Sequence, residues 1–209
     1  MHFLDGSEGP DDEWERRHSA PENEAPVAVP VSAVLARSDT AAVTLTGVQV
    51  FTTGLTFTLG VRCRPEALGS GDISDLLWGH RGPGPQVLVG VELADGRRAS
   101  NVPGSVHAFA DPGDLDGLVF HHGSGSGGQL SAEQVWWLSP LPPAGPLRLV
   151  VRCDALGLPE TVTELDGTAL RAAAERVVTL WPWVSPRGVE PPQPPPGPEL
   201  PADSWFART

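Results

Sequence analysis

The chain reads as mainly β, an antiparallel β-sandwich of immunoglobulin-like or jelly-roll-like type with one C-terminal α-helix packed on it. Three observations predict this. Seven or eight short segments alternate apolar and polar residues with the period of two that turns one strand face inward. Turn residues recur between them at short intervals. The period lengthens to that of a helix only once, near Leu170, and no strand–helix–strand alternation calls for a parallel sheet.

Residues 1–26 hold eight carboxylates, two arginines and little that is apolar beyond Phe3, Leu4 and Trp14, so they read as an acidic disordered tail. The first strand begins at Val27, with Val27, Val29, Val31, Ala33 and Leu35 in one phase; Pro30 lacks a backbone N–H and predicts an edge position or a bulge. In the next, Ala42 to Phe51, the phase of Val43 and Leu45 changes to that of Val48 and Val50, which predicts a bulge at Gly47. LTFTLGVRCR is the cleanest strand, with Leu55, Phe57, Leu59, Val61 and Cys63 inward and Thr56, Thr58, Arg62 and Arg64 outward. Residues 65–85 form a long Gly- and Pro-rich connection whose apolar cluster Ile73, Leu76, Leu77 and Trp78 folds over one end of the core. Asp95-Gly96, between QVLVGVELA and RRASNV, is a hairpin signal.

A short strand over Leu118–His122 leads into the flexible run GSGSGG, 123–128, which separates it from Gln134–Leu138. In that strand Trp136 and Trp137 must face opposite ways, one into the core and one outward. Leu147, Leu149, Val151 and Cys153 mark a strand, and TVTEL another. Leu170, Ala173, Ala174, Val177, Leu180 and Trp181 then recur at helical spacing, with Asp166 or Thr168 as cap and Pro182 as stop. The folded domain is thus predicted over 27–181. Residues 182–209 form a Pro-rich disordered tail of polyproline II character that ends in SWFART.

Composition narrows the function classes. With 26 acidic residues against 14 basic ones the net charge is −12, which opposes binding to nucleic acid. All the basic residues are Arg, a sign of GC-rich coding rather than of chemistry. No apolar stretch approaches the length of a spanning helix, and the acidic N-terminus lacks the features of an export signal, so the expectation is a soluble cytoplasmic protein without membrane insertion. Cys63 and Cys153 lie on inward phases and read as small hydrophobes.

No catalytic residue, metal site or cofactor is predicted. Adjacent histidines on a strand point to opposite faces, so His121 and His122 cannot both ligate one ion without a kink. GSGSGG lacks the Lys and Ser/Thr of a phosphate loop, and no serine sits in a G-x-S-x-G elbow. A small-ligand or carbohydrate binder, or a hydrolase, would have to use the loop cluster Trp78, His80, His107, His121 and His122. Tryptophans exposed on a sandwich could stack on sugar rings or anchor a protein partner, but those of the domain read first as packed side chains. Trp137 and Trp181 fall on packed phases. Trp14, Trp183 and Trp205 lie in or near the polar tails, where an aromatic serves as an interface anchor. The first expectation is therefore a non-enzymatic protein-binding or adaptor module whose tail presents Trp205 and Phe206 to another protein.

The order of FTTGLTFTLGVRCR, VGVELADGRR, WWLSPLPPAGPLRLVVRC and ALGLPETVTELDGTALRAAAERVVTLW resembles a family of uncharacterised β-rich proteins from high-GC bacteria. The resemblance covers about 27–181 and implies the domain boundaries. It brings no activity and no site residues.

Overall fold

In the computed structural model, which describes residues 10–69, 71–78, 86–102 and 117–185, the chain is mainly β and its sheets are antiparallel. The elements in chain order are α1 (Pro10–His18), β1 (Glu24–Ala25), β2 (Val27–Val29), β3 (Ala33–Arg37), β4 (Ala41–Val50), β5 (Leu55–Cys63), α2 (Ile73–Trp78), β6 (Leu88–Glu92), β7 (Arg98–Ser100), β8 (Val119–Gly127), β9 (Ser131–Ser139), β10 (Pro146–Cys153), β11 (Leu158–Asp166), α3 (Gly167–Ala174) and β12 (Val178–Thr179). A six-stranded sheet runs β2-β4-β5-β9-β8, with β3 also paired to β4; a four-stranded sheet runs β11-β10-β6-β7; and β1 pairs with β12.

Period-two patterning decides which faces are buried. Leu45, Phe57, Leu59, Trp136 and Leu138 of the larger sheet share one core with Val89, Val91, Leu147, Leu149 and Val151 of the smaller. Thr161 Oγ1 donates to the Leu35 carbonyl at 2.9 Å and ties β11 to β3. The outward face of the smaller sheet is a cross-strand charge ladder, Arg98 to Glu92 at 2.5 Å, Glu92 to Arg148 at 2.8 Å and Arg148 to Glu164 at 2.9 Å. Each of those pairs sits directly opposite in the register.

Several expectations meet their counterparts. Pro30 separates β2 from β3, and both pair with β4. The β4–β5 register shifts between Thr46 and Gln49, with Gly47 at φ +64°, a left-handed conformation that favours glycine. Asp95-Gly96 closes the β6–β7 hairpin. Both cysteines are free, and burial pushes each thiol up from its ordinary value. Among the described residues no helix is long and apolar enough to cross a membrane.

Three segments differ from expectation. The helix predicted to reach Trp181 ends at Ala174. Asp166 caps it, accepting from the Thr168 and Ala169 amides, and Leu170 and Ala173 are buried. Beyond it the β-branched run Val177-Val178-Thr179 turns into β12, leaving Leu180 49% and Trp181 56% exposed, so Trp181 is not packed as its phase implied.

The run GSGSGG, read as a flexible loop, is mostly strand. β8 continues through Gly127 along β9, with a bulge between His122 and Gly125. Its glycines form a shelf for the Trp78 ring. A Cβ on Gly125 would lie 2.8 Å from Trp78 Cζ2, and one on Gly127 would lie 3.1 Å from Trp78 Cζ3 and 2.7 Å from Ser74 Oγ.

Residues 1–26 read as a tail, yet 10–18 form α1 and 24–25 form β1. A nine-residue polar helix is marginal alone, so its stability must come from packing and from the ends. Arg16, Arg17 and His18 occupy its last turn, where positive charge suits the helix dipole. The last carbonyls, orphaned by helix geometry, find donors on the outer face of the large sheet. Trp137 Nε1 donates to Arg17 O at 2.7 Å, and His121 Nε2 donates to His18 O at 2.8 Å.

Candidate functional site

His121 and Trp137 are directly opposed on β8 and β9, as are His122 and Trp136. The two pairs face opposite sides of the large sheet. Trp136 lies in the core, stacked on Phe120 at 4.7 Å, with His122 edge-on to it at 5.5 Å. Trp137 lies on the other side in a small cluster with Phe51, Val119 and Ala20. The strand alternation that separates the tryptophans also separates the histidines.

The loop cluster considered for ligand chemistry therefore does not assemble among its described members. Trp78 and His122 belong to the inner face, whereas His121 caps α1 on the outer one. His80 and His107 lie outside the described residues, as do Trp205 and Phe206. Among the described residues no group of three His, Cys, Asp or Glu side chains could hold a metal.

The inner face carries an anomaly that the sequence reading passed over. Gln134 is 1% exposed, lies on the core phase of β9 opposite Leu59 and Gly125, and has no hydrogen-bond partner for either amide atom. Trp136 Nε1 and His122 Nδ1 are also buried and unpartnered. Burial, against the pull of the Gly123 backbone, holds the His122 imidazole below its ordinary value.

The second candidate lies on the outside, where both ends of the described chain converge. β1 pairs with β12, Glu24 opposite Thr179 and Ala25 opposite Val178. The zipper continues through Leu180 N to Asn23 O at 2.8 Å and Asn23 Nδ2 to Trp181 O at 2.9 Å. Glu24 accepts from the Thr52 amide at 2.9 Å and from the Thr52 hydroxyl, which fixes this edge on the large sheet. Between α1 and the segment 181–184 opens a cavity of about 410 Å³, lined by Trp14, Glu15, Arg16, His18, the turn 19–23, Trp181, Trp183 and Val184.

Aromatic rings dominate its walls. Trp14 stacks on His18 at 3.7 Å, and the Arg16 guanidinium sits 4.6 Å from the Trp183 ring centroid, a cation–π pair. Across that pair a second cavity of about 250 Å³ reaches Glu24, Thr52, Thr53 and Thr179. Two others, of about 320 and 420 Å³, follow β3 and β4 and carry no aromatic ring. His18 Nδ1 donates to Trp14 O at 3.0 Å, which leaves Nε2 as the acceptor nitrogen of the neutral ring. Burial lowers the His18 pKa, against the pull of that hydrogen bond. Trp14 Nε1 and His18 Nε2 are both buried without a hydrogen-bond partner.

Comparison with known protein families, with curated proteins and with solved structures gives no match. What can be said of function rests on the geometry. The groove's components, residues 14–23 and 179–184, lie at opposite ends of the sequence, so no local pattern contains it. Its one sequence signal is the placing of Trp14 and Trp183 in polar surroundings.

Proposed function

We propose that this chain is a non-enzymatic protein-binding module and that the aromatic groove between α1 and residues 181–184 is its recognition surface. The observation that carries this reading is the gathering of Trp14, Trp181 and Trp183 around one cavity, with Trp181 more than half exposed. Tryptophan and arginine dominate the binding energy of protein interfaces because a large ring desolvates much area at small entropic cost. The scaffold is best read as an antiparallel β-sandwich, its two larger sheets facing across one core. Two free thiols fit a reducing, cytoplasmic setting. Trp205 and Phe206 remain a proposed second contact, carried by the segment that follows the groove.

The test compares partner affinities for the unaltered chain, Trp181→Ala and His122→Ala, using proteins first recovered by the unaltered chain. Loss of an interface tryptophan costs about 2 kcal/mol or more at a hot spot, roughly thirtyfold in affinity. Trp181→Ala should show that loss and His122→Ala should not. The reverse pattern, or binding of oligosaccharides in place of proteins, would refute the proposal.

A further inference from the structure

We infer that the groove takes a polyproline II segment, and that its occupant in the free chain is the chain's own run Pro191-Pro192-Gln193-Pro194-Pro195-Pro196. This rests on the groove being the recognition surface. Proline rings pack flat on aromatic faces, and grooves lined by aromatics are the usual receptors for such helices. A polyproline II backbone makes no internal hydrogen bonds, so its carbonyls look outward for donors, and proline itself offers no N–H. The groove suits the packing of such a helix, with the rings of Trp14, Trp181 and Trp183 on its walls and Trp181 more than half exposed.

Position names the occupant. Ser185 Oγ donates to Glu15 Oε2 at 2.9 Å, so the chain passes the groove wall at that point, and twenty-four residues follow it. The proline run starts six residues on. An extended segment of that length spans about 19 Å at about 3.1 Å per residue, and Arg187-Gly188 offers a place to reverse direction. A tether this short gives a local concentration on the order of millimolar, which fills the groove even when the intrinsic affinity is weak. The same run from a second copy lacks that advantage.

The test uses the full chain and a synthetic peptide of sequence VEPPQPPPGP, residues 189–198, as the probe. Calorimetric titration is done on the unaltered chain and on a tail variant with Pro191, Pro192, Pro194, Pro195 and Pro196 each changed to Ser. The tail variant should bind the peptide at least about tenfold more tightly, because its groove is vacated. Adding Trp181→Ala and Trp183→Ala to it should remove binding, and Trp181→Ala alone, at a mostly exposed ring, should weaken it where the double change impairs folding. Sedimentation should find both chains monomeric. Equal binding by the two chains would overturn the tethered occupant while leaving the groove as a recognition surface. Binding that survives the tryptophan changes, or no binding by either chain, would overturn the polyproline assignment. A dimer that the serine changes dissolve would hand the groove to a second copy and overturn the inference as stated.

Discussion

Gln134 offers the sharpest test of the inner face. It is 1% exposed, lies opposite Leu59 and Gly125, and its amide has no partner for nitrogen or oxygen. An unpaired amide in an apolar interior costs about 1–3 kcal/mol on mutational scales. Methionine has the same length and adapts to irregular space, so Gln134→Met removes both polar atoms while nearly conserving volume. The substitution should therefore stabilise the protein by about 1–3 kcal/mol. Chemical denaturation should record this as a raised midpoint with an unchanged slope. Thermal unfolding should shift upward by about 2–4 °C for each kcal/mol in a chain of this size. Destabilisation by more than about 1 kcal/mol would refute the reasoning, since it would mean that the amide is satisfied by a bound group that belongs to the native state.

Trp137→Phe keeps the outer cluster apolar but removes the donor to Arg17 O, so it should cost about 1–2 kcal/mol and raise amide exchange across α1, read by hydrogen exchange. Leu170→Ala should cost about 2–5 kcal/mol, whereas Leu180→Ala, at a half-exposed side chain, should stay within about 0.5 kcal/mol; similar melting shifts would restore the longer helix. The imidazoles of His18 and His122 are both held below the ordinary histidine value of about 6.5, so the unfolded chain binds protons that the folded chain resists. Their contribution is complete above about pH 6.5, is lost as pH falls through that value toward the folded pKa, and then levels off. Denaturant midpoints at pH 7.5 and pH 5.5 should show this, and His18→Gln should reduce the drop.

Much of the β structure was legible because it is written in a local code. β5 and β10 declare themselves by strict alternation, Gly47 by a change of phase, and the β6–β7 hairpin by Asp95-Gly96. What escaped depends on partners far away in sequence. α1 has one aromatic and a polar surface, and what holds it is Trp137, 120 residues distant from Arg17. β8 looks like a linker because glycine and serine usually mean one; the Trp78 ring laid across Gly125 and Gly127 explains the composition. In the segment after Ala174 two codes compete. Apolar residues continue at helical spacing through Trp181, but Val177-Val178-Thr179 favours extension, and pairing with β1 settles the conflict. The separation of His121 from His122, by contrast, followed from strand geometry alone and holds in the register.

The central claim is that recognition happens at the aromatic groove, and hydrogen exchange of the tail variant with its five prolines changed to Ser, whose groove is vacant, with and without a bound partner tests it most directly. Slowed exchange confined to residues 14–23 and 179–184 is the predicted result. Slowed exchange around 73–78 and 119–127, with the groove segments unchanged, would contradict the account and return the binding site to the inner face beside Trp78 and His122.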